Sequence, residues 1–199
     1  MLLVTSADAG EGKSTVVANL AVTFARSGRK VIVVDCNMHK PTLHSTFGLA
    51  NDYGLTTLLT EQASVAGVIQ PTKVPGVTVI TNGPVLTNLS TLPVPTAIVP
   101  QGLAKRLDQE SELLGSVEMA SVIEQLRQDY DIVLLDTPAL LSVMDAAVLA
   151  PMADHVILVV ERAHARRDAL RTASERLRYV HADSIGVVIN RAESLKNLS

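Results

Sequence analysis

A glycine, a lysine and two hydroxyl residues near the start of the chain have a spacing that can bind phosphate. Residues 10–15 read GEGKST, and they lie between the apolar run of residues 2–4 and a pattern with helical spacing. Where a strand, a tight loop and a helix follow one another, the loop amides and the helix N-terminus surround phosphate oxygens. Lys13 would then reach the terminal phosphates, and the Ser14 hydroxyl would bind Mg²⁺. The predicted phosphate-binding residues are Ala9, Gly10, Glu11, Gly12, Lys13, Ser14 and Thr15.

Two aspartates, Asp35 and Asp136, each end a continuous apolar run. Such runs are typical of buried parallel strands, and open α/β sheets bind their ligands where those strands end. Asp136 has the position of a Walker B acid, and Asp35 is expected to ligate Mg²⁺ or to orient a water. The alternatives are that Asp35 caps a helix or lies in a loop, and that Asp136 only caps its strand. The predicted metal ligands are Ser14, Asp35 and Asp136.

Strand-like runs alternate with helical patterns along the chain. Six runs are predicted to be strands, at residues 2–4, 30–35, 77–80, 130–136, 155–160 and 185–190, with a further strand-like pair at 68–69. This alternation predicts right-handed βαβ crossovers. We therefore expect an α/β domain of the P-loop NTPase class over residues 1–199, with a mostly parallel sheet and helices on both faces. A Pro- and Thr-rich stretch at about 84–110 is predicted to be a loop insertion.

Two helix predictions bear on the site. The pattern over residues 110–128 predicts one helix with an apolar stripe that packs in the core. The stripe consists of Leu113, Val117, Ala120, Ile123 and Leu126. Asp145 is expected to be the N-cap of a following short helix.

The composition excludes several classes of function. The chain has 47% hydrophobic and 3% aromatic residues and a net charge of −3, so we expect no nucleic-acid partner. The single cysteine, Cys36, excludes an intrachain disulfide and a CxxC metal site, and it is expected to pack in the core. No apolar run reaches the length of a membrane span. His39 and His44 are expected to be solvated loop residues rather than metal ligands.

Four segments resemble the bacterial tyrosine kinases of capsule and exopolysaccharide biosynthesis, a branch of the P-loop group. They are residues 5–15, residues 31–48, residues 54–59, and the runs at 130–138, 145–146 and 186–190 taken together. The resemblance implies ATP and Mg²⁺ as cofactors, phosphoryl transfer to protein tyrosine, and contact of Asn190 with the nucleotide base. Asp8 stands where septum-placement and plasmid-partitioning ATPases carry a lysine, which separates the chain from them.

The loop after the second predicted strand departs from this family. The family pattern DxDxR appears here as DCNMH at residues 35–39. The second acid of that pattern is a candidate for activating the tyrosine hydroxyl, and Asn37 cannot serve as a carboxylate base. Impaired phosphoryl transfer is therefore an open alternative. The catalytic residues that the resemblance implies are Lys13, Asp35, Asn37 and Asp136.

The resemblance also implies partners and a location. Such kinases end in a tyrosine cluster, whereas this chain has only Tyr53, Tyr130 and Tyr179, all inside predicted structure. We therefore expect the tyrosine substrate to be supplied by another chain. We also expect a membrane-anchored activator or polysaccharide co-polymerase, and the resemblance allows a homo-oligomer. The expected location is cytoplasmic, at the inner face of the plasma membrane through a partner or an upstream segment.

Two other functions stay open on the sequence alone. A regulatory switch or weak ATPase on a membrane polysaccharide assembly would bind ATP and hydrolyse it slowly or not at all. Asn37 and the absent tyrosine cluster favour it, whereas the intact GEGKST and DTP motifs favour an active enzyme. A small-molecule kinase would need an arginine-rich lid, for which the predicted insertion offers only Lys105 and Arg106.

Overall fold

The computed structural model describes residues 1–60, 63–84, 109–182 and 184–192. Seven strands lie in these ranges: β1 (Leu2–Ser6), β2 (Val31–Asp35), β3 (Ile69–Pro71), β4 (Val77–Ile80), β5 (Ile132–Asp136), β6 (His155–Glu161) and β7 (Ile185–Asn190). They form one sheet in the order β3-β4-β2-β5-β1-β6-β7. All neighbouring strands are parallel except β3 and β4. The predicted α/β fold with a mostly parallel sheet is therefore confirmed.

Eight α-helices connect or flank the strands in the same ranges. They are α1 (Lys13–Arg26), α2 (Leu43–Phe47), α3 (Leu55–Thr60), α4 (Val65–Val68), α5 (Gln109–Leu114), α6 (Val117–Asp129), α7 (Asp145–Leu149) and α8 (Arg167–Tyr179). Two 3-10 turns, Ala150–Met152 and Arg162–His164, follow α7 and β6.

Packing on both faces of the sheet explains why its central strands are apolar throughout. Neighbouring residues of a strand point to opposite faces, and in β2 Ile32 joins one apolar cluster while Val33 joins the other. Val17 of α1 packs in the cluster of Val33, and Leu126 of α6 and Leu177 of α8 pack in the cluster of Ile32. Helices therefore cover both faces, and the charged and polar ends of the strands converge at one edge.

The sheet differs from the prediction at one edge. Seven strands are present where six were predicted, because Ile69–Pro71 forms the short strand β3 antiparallel to β4. Val68 ends α4 and is not part of a strand. Pro71 is tolerated because β3 lies at the edge of the sheet, where its missing N–H removes no inner ladder hydrogen bond.

The single helix predicted over residues 110–128 is wrong. Two helices, α5 and α6, are separated at Gly115 and Ser116, and the Ser116 hydroxyl caps α6 by accepting a hydrogen bond from Met119 N at 3.1 Å. The break turns the second helix, so Val117 is 48% exposed, whereas Leu113 and Ile123 are buried as predicted.

Two smaller expectations also fail. Asp145 is the first residue of α7, not its N-cap, which is Met144, and the Asp145 side chain is fully buried. The tyrosines are not all inside regular elements, because Tyr53 lies in the loop before α3 and is 66% exposed. Tyr179 ends α8 and is 65% exposed.

The predicted insertion at about 84–110 falls mostly outside the described residues, and so do Lys105 and Arg106. Residue 84 closes the described stretch after β4, and residues 109–110 already belong to α5. Over the described ranges, no helix combines the length and the apolar content that crossing a bilayer requires.

A glycine before α3 provides a test of the packing that positions this part of the fold. A Cβ added to Gly54 would lie 2.2 Å from the Thr81 carbonyl oxygen and 2.4 Å from the Gly83 nitrogen. Backbone atoms cannot move aside, so Gly54→Ala should lower the free energy of unfolding by about 1–3 kcal/mol in urea titrations. Gly67→Ala is the matched control, because its Cβ would meet only the Ser64 hydroxyl at 3.2 Å. Equal stability of the two variants would contradict this packing argument.

Candidate functional site

The loop between β1 and α1 is folded around two glycines in the left-handed region. Gly10 has φ +87° and Gly12 has φ +86°, a conformation that favours glycine. Lys13 donates a hydrogen bond to the Ser6 hydroxyl at 2.9 Å, and Ser6 in turn donates to the Asp8 carbonyl at 2.6 Å. Burial lowers the pKa of the Lys13 ammonium, while the charges of Asp136 and Glu11 raise it. The loop therefore brings a partly desolvated cation to the sheet edge.

The side chains of two of the predicted nucleotide-binding residues, Glu11 and Asn190, support the loop through hydrogen bonds. Glu11 is 4% exposed, and its carboxylate accepts hydrogen bonds from Asp8 N at 2.9 Å and Glu161 N at 3.2 Å. Asn190 donates from Nδ2 to the Glu11 carbonyl at 2.9 Å. A Cβ on Gly12 would lie 2.1 Å from the same Nδ2. Glu11 and Asn190 thus fix the shape of the phosphate loop.

Asp35 ends β2 and organises the loop that follows. Its carboxylate accepts hydrogen bonds from the backbone N–H groups of Asn37 at 3.2 Å, Thr42 at 3.1 Å and Leu43 at 3.0 Å. Burial raises the pKa of Asp35 to about 6, although these three amides favour its charged form. Asp35 therefore holds the loop of residues 36–42 against the sheet edge.

Asp136 ends β5 and pairs in register with Asp35 on β2. It is 1% exposed, and neither of its carboxylate oxygens has a hydrogen-bond partner. Burial, with the charge of Asp35 as a second cause, raises the pKa of Asp136 to about 7. The nearby Ser14 hydroxyl and the Lys13 ammonium act in the opposite direction and lower the pKa of Asp136. Neither group makes a hydrogen bond of ordinary geometry to the Asp136 carboxylate. Buried carboxylate oxygens without a hydrogen-bond partner are rare in folded proteins.

The two loops meet and line a half-open cavity of about 520 Å³. Thr42 donates a hydrogen bond to the Ser14 hydroxyl at 3.0 Å, which joins the end of the Asp35 loop to the start of α1. The cavity has the size of a small-molecule site. Its lining includes the predicted residues Ala9, Gly10, Gly12, Lys13, Ser14, Thr15 and Asn37. Further lining residues that the sequence did not single out as site residues are Lys40, Thr42, Thr46, Pro138, Ala139, Ser142 and Val143.

Asn37 lies at the cavity with its side chain already engaged. Its Oδ1 accepts a hydrogen bond from Lys40 N at 3.1 Å, which closes a short turn. His39 follows on the same loop and also lines the cavity. Its Nε2 lies 3.6 Å from Asp145 Oδ2, and Ser111 donates to Asp145 Oδ1 at 2.6 Å. No local pattern predicts this cluster, because its members come from a loop, α5 and α7.

The outer side of the phosphate loop carries a second group of charges. Asp8 pairs with Arg166 at 3.0 Å, and Glu161 pairs with Arg191 at 2.7 Å. His164 lies 3.3 Å from the same Glu161 carboxylate. The Asp8–Arg166 pair connects the loop to the start of α8, and the Glu161–Arg191 pair connects the end of β6 to the residue after β7.

Comparison with known proteins identifies the family. A family model described as an AAA domain matches residues 2–184. The chain is 33% identical over 189 residues to tyrosine-protein kinase YwqD of Bacillus subtilis (strain 168), covering 95% of this chain and 71% of YwqD. This chain belongs to the bacterial tyrosine-protein kinase family. The putative tyrosine-protein kinase CapB of Staphylococcus aureus is 32% identical over 198 residues, covering 100% of this chain and 78% of CapB.

A solved structure supports the same relationship. The crystal structure of the chimerical protein CapA2B2 superimposes with a TM-score of 0.82 at 32% identity, covering 97% of this chain and 76% of that chain. The P-loop fold of the tyrosine-protein kinase family implies that the chain binds a nucleotide. The resemblance to this family that the sequence motifs indicated is confirmed.

The two raised carboxylate pKa values predict an unusual dependence of stability on pH. An acid whose pKa is raised on folding contributes most stability below its ordinary pKa, and this contribution is lost as pH rises through the folded value. For Asp136 the window runs from pH 3.8 to about 7. Asp136→Asn should therefore stabilise the ligand-free protein at pH 8 by about 2–4 kcal/mol, and this gain should vanish near pH 4.

Chemical unfolding between pH 4 and pH 8 measures this effect. Asp154→Asn is the matched control, because Asp154 is paired with Arg127 and the N-terminus, which lower its pKa, so its removal should not stabilise the protein at pH 8. If the stability of Asp136→Asn follows the same pH profile as that of the unchanged protein, the pKa of Asp136 is not raised on folding.

Proposed function

We propose that this chain transfers the γ-phosphoryl group of ATP to tyrosine side chains of another protein, in the control of capsule or exopolysaccharide synthesis. The observation that carries the proposal is the pair of buried, unpartnered oxygens of Asp136 beside Ser14 and Lys13. The family supports the reaction class, and the cavity between the two loops is large enough for a nucleotide.

The phosphate loop would hold the triphosphate. The backbone amides of Gly10, Gly12 and Lys13, residues that line the cavity, would donate to the phosphate oxygens, and the N-terminus of α1 would add a partial positive charge. Lys13 would contact the terminal phosphates and stabilise charge that builds up in the transition state. Glu11 and Asn190 would act through the shape of the loop, since their side chains contact loop and strand atoms.

The residues present fit Mg²⁺. Ser14, which lines the cavity, and the neighbouring Asp136 offer hard oxygen atoms, and Asp35 is next to Asp136 in register. Mg²⁺ bound there would neutralise phosphate charge and orient the transferred group. We propose that Ser14 and Asp136 hold it, while Asp35, which is committed to three backbone amides, acts through a water.

The tyrosine substrate and the partners follow from the same proposal. We propose that another chain supplies the tyrosine and that a membrane-anchored activator or polysaccharide co-polymerase recruits this chain to the inner face of the plasma membrane. A homo-oligomer is compatible with this assembly. The relationship to tyrosine-protein kinases supports the substrate type.

Transfer of label from γ-³²P-ATP to a tyrosine-containing peptide, with Mg²⁺ and an activator segment, tests the function. We expect phosphotyrosine with the unchanged protein and a fall of at least about 100-fold with Lys13→Ala, because the transition-state charge loses its cation. Lys30→Ala is the control, since Lys30 packs over the Tyr130 ring away from the cavity.

Three outcomes would contradict the proposal. Release of phosphate without label on tyrosine would identify an ATPase. Nucleotide binding without any turnover would identify a switch. Full activity of Lys13→Ala would show that the phosphate loop is not the site of chemistry.

A further inference from the structure

The chain lacks a carboxylate at the loop position where the family pattern has its second acid, because Asn37 stands there. We propose that His39, oriented by the buried Asp145, accepts the proton of the tyrosine hydroxyl during phosphoryl transfer. This inference rests on the proposed kinase function and adds a residue to its chemistry.

The position of His39 carries the first part of the argument. It lines the same cavity as Lys13, Ser14 and Asn37 and follows Asn37 by two residues. Its side chain is 34% exposed, so it is accessible to a substrate and to solvent. Imidazole is the side chain best suited to accept a proton near neutral pH.

Asp145 carries the second part. It is fully buried at the start of α7, with Oδ1 fixed by the Ser111 hydroxyl at 2.6 Å and Oδ2 facing His39 Nε2 at 3.6 Å. That separation is too long for a hydrogen bond, and it becomes an ion-pair contact when the imidazole takes up a proton. Catalytic contacts are often loose before substrate binds and shorten afterwards. A buried carboxylate behind a histidine orients the ring and stabilises the imidazolium that forms.

The other polar groups around the cavity have different roles. Asp35 accepts three backbone hydrogen bonds, and the Asn37 amide is engaged with Lys40 N and is not basic. Asp136 has the position of the metal acid. Among the residues that line the described cavity, the remaining titratable side chains, Lys13 and Lys40, are ammonium groups. His39 is therefore the base that this cavity offers.

The proton and electron balance is simple. The tyrosine oxygen forms a bond to the γ-phosphorus as the bond from that phosphorus to the bridging oxygen of ADP breaks. The phenol proton moves to the His39 imidazole, and the imidazolium faces the Asp145 carboxylate. Its partial exposure lets it return the proton to water, which resets the residue.

Substitution of His39 tests the proposal through kcat. His39→Asn should lower kcat for tyrosine phosphorylation by about 10- to 100-fold and leave KM for ATP within about twofold, because a base acts in the transition state. His39→Arg places a permanent cation beside Asp145 and cannot accept a proton, so it should lower kcat as much as His39→Asn does. Asp145→Asn keeps an acceptor for Ser111, so alone it should lower kcat less than His39→Asn does. Combined with His39→Asn, it should lower kcat little further, because Asp145 acts through His39.

A fluorinated substrate provides a readout that a merely structural role would not change. A peptide with difluorotyrosine has a more acidic phenol and needs less help from a base, so the loss caused by His39→Asn should shrink by at least about fivefold on it. His155→Asn is the matched control, because His155 lies at the opposite end of β6 and contacts Ser184. We expect this control to keep full activity.

The results distinguish this proposal from the proposed function. Full kcat in His39→Asn or in His39→Arg would overturn the role of His39 while leaving the kinase function intact. An equal loss on tyrosine and difluorotyrosine would show that His39 only supports the loop. Absence of tyrosine phosphorylation by the unchanged protein would overturn both proposals.

Discussion

Two buried carboxylates side by side are the constraint on which the site depends. Asp35 and Asp136 end neighbouring parallel strands in register, so the sheet itself places them together away from water. Burial raises both pKa values, and the charge of Asp35 adds to the rise at Asp136. Such a pair is unfavourable unless cations lie nearby. Lys13 is one such cation, and its placement requires the sharp turn into α1.

The two acids differ because the chain continues differently after each strand. After β2 the backbone turns back and donates three N–H groups to Asp35. After β5, Thr137 N donates to the Val4 carbonyl, Pro138 has no N–H, and Leu140 N donates to the Ser6 carbonyl. The amides that could have satisfied Asp136 are thus directed to β1. One acid fixes a loop, while the other keeps its oxygens available to a ligand.

Local patterns predicted the elements, and long-range contacts decided the roles. The continuous apolar runs of β1, β2 and β5 and the GEGKST turn are local signals, so the fold and the meeting of Lys13 with both acids could be predicted. The supports of the loop could not be: Glu11 receives Glu161 N from 150 residues away, and Asn190 reaches the Glu11 carbonyl across 179 residues. The cluster of His39, Ser111 and Asp145 could not be predicted for the same reason. An acid at the start of a helix has the sequence pattern of an N-cap whether its side chain is exposed or buried.

The site therefore combines a phosphate loop of fixed shape with a carboxylate, Asp136, whose oxygens have no hydrogen-bond partner. The phosphate loop is fixed in shape by Glu11, Asn190 and the Asp8–Arg166 pair, so little ordering is left for a ligand to impose. Asp136 remains without a partner, and a cation would relieve its cost of burial. Because Asp136 would bind a cation only as a carboxylate, a proton and a cation would compete for the same two oxygens.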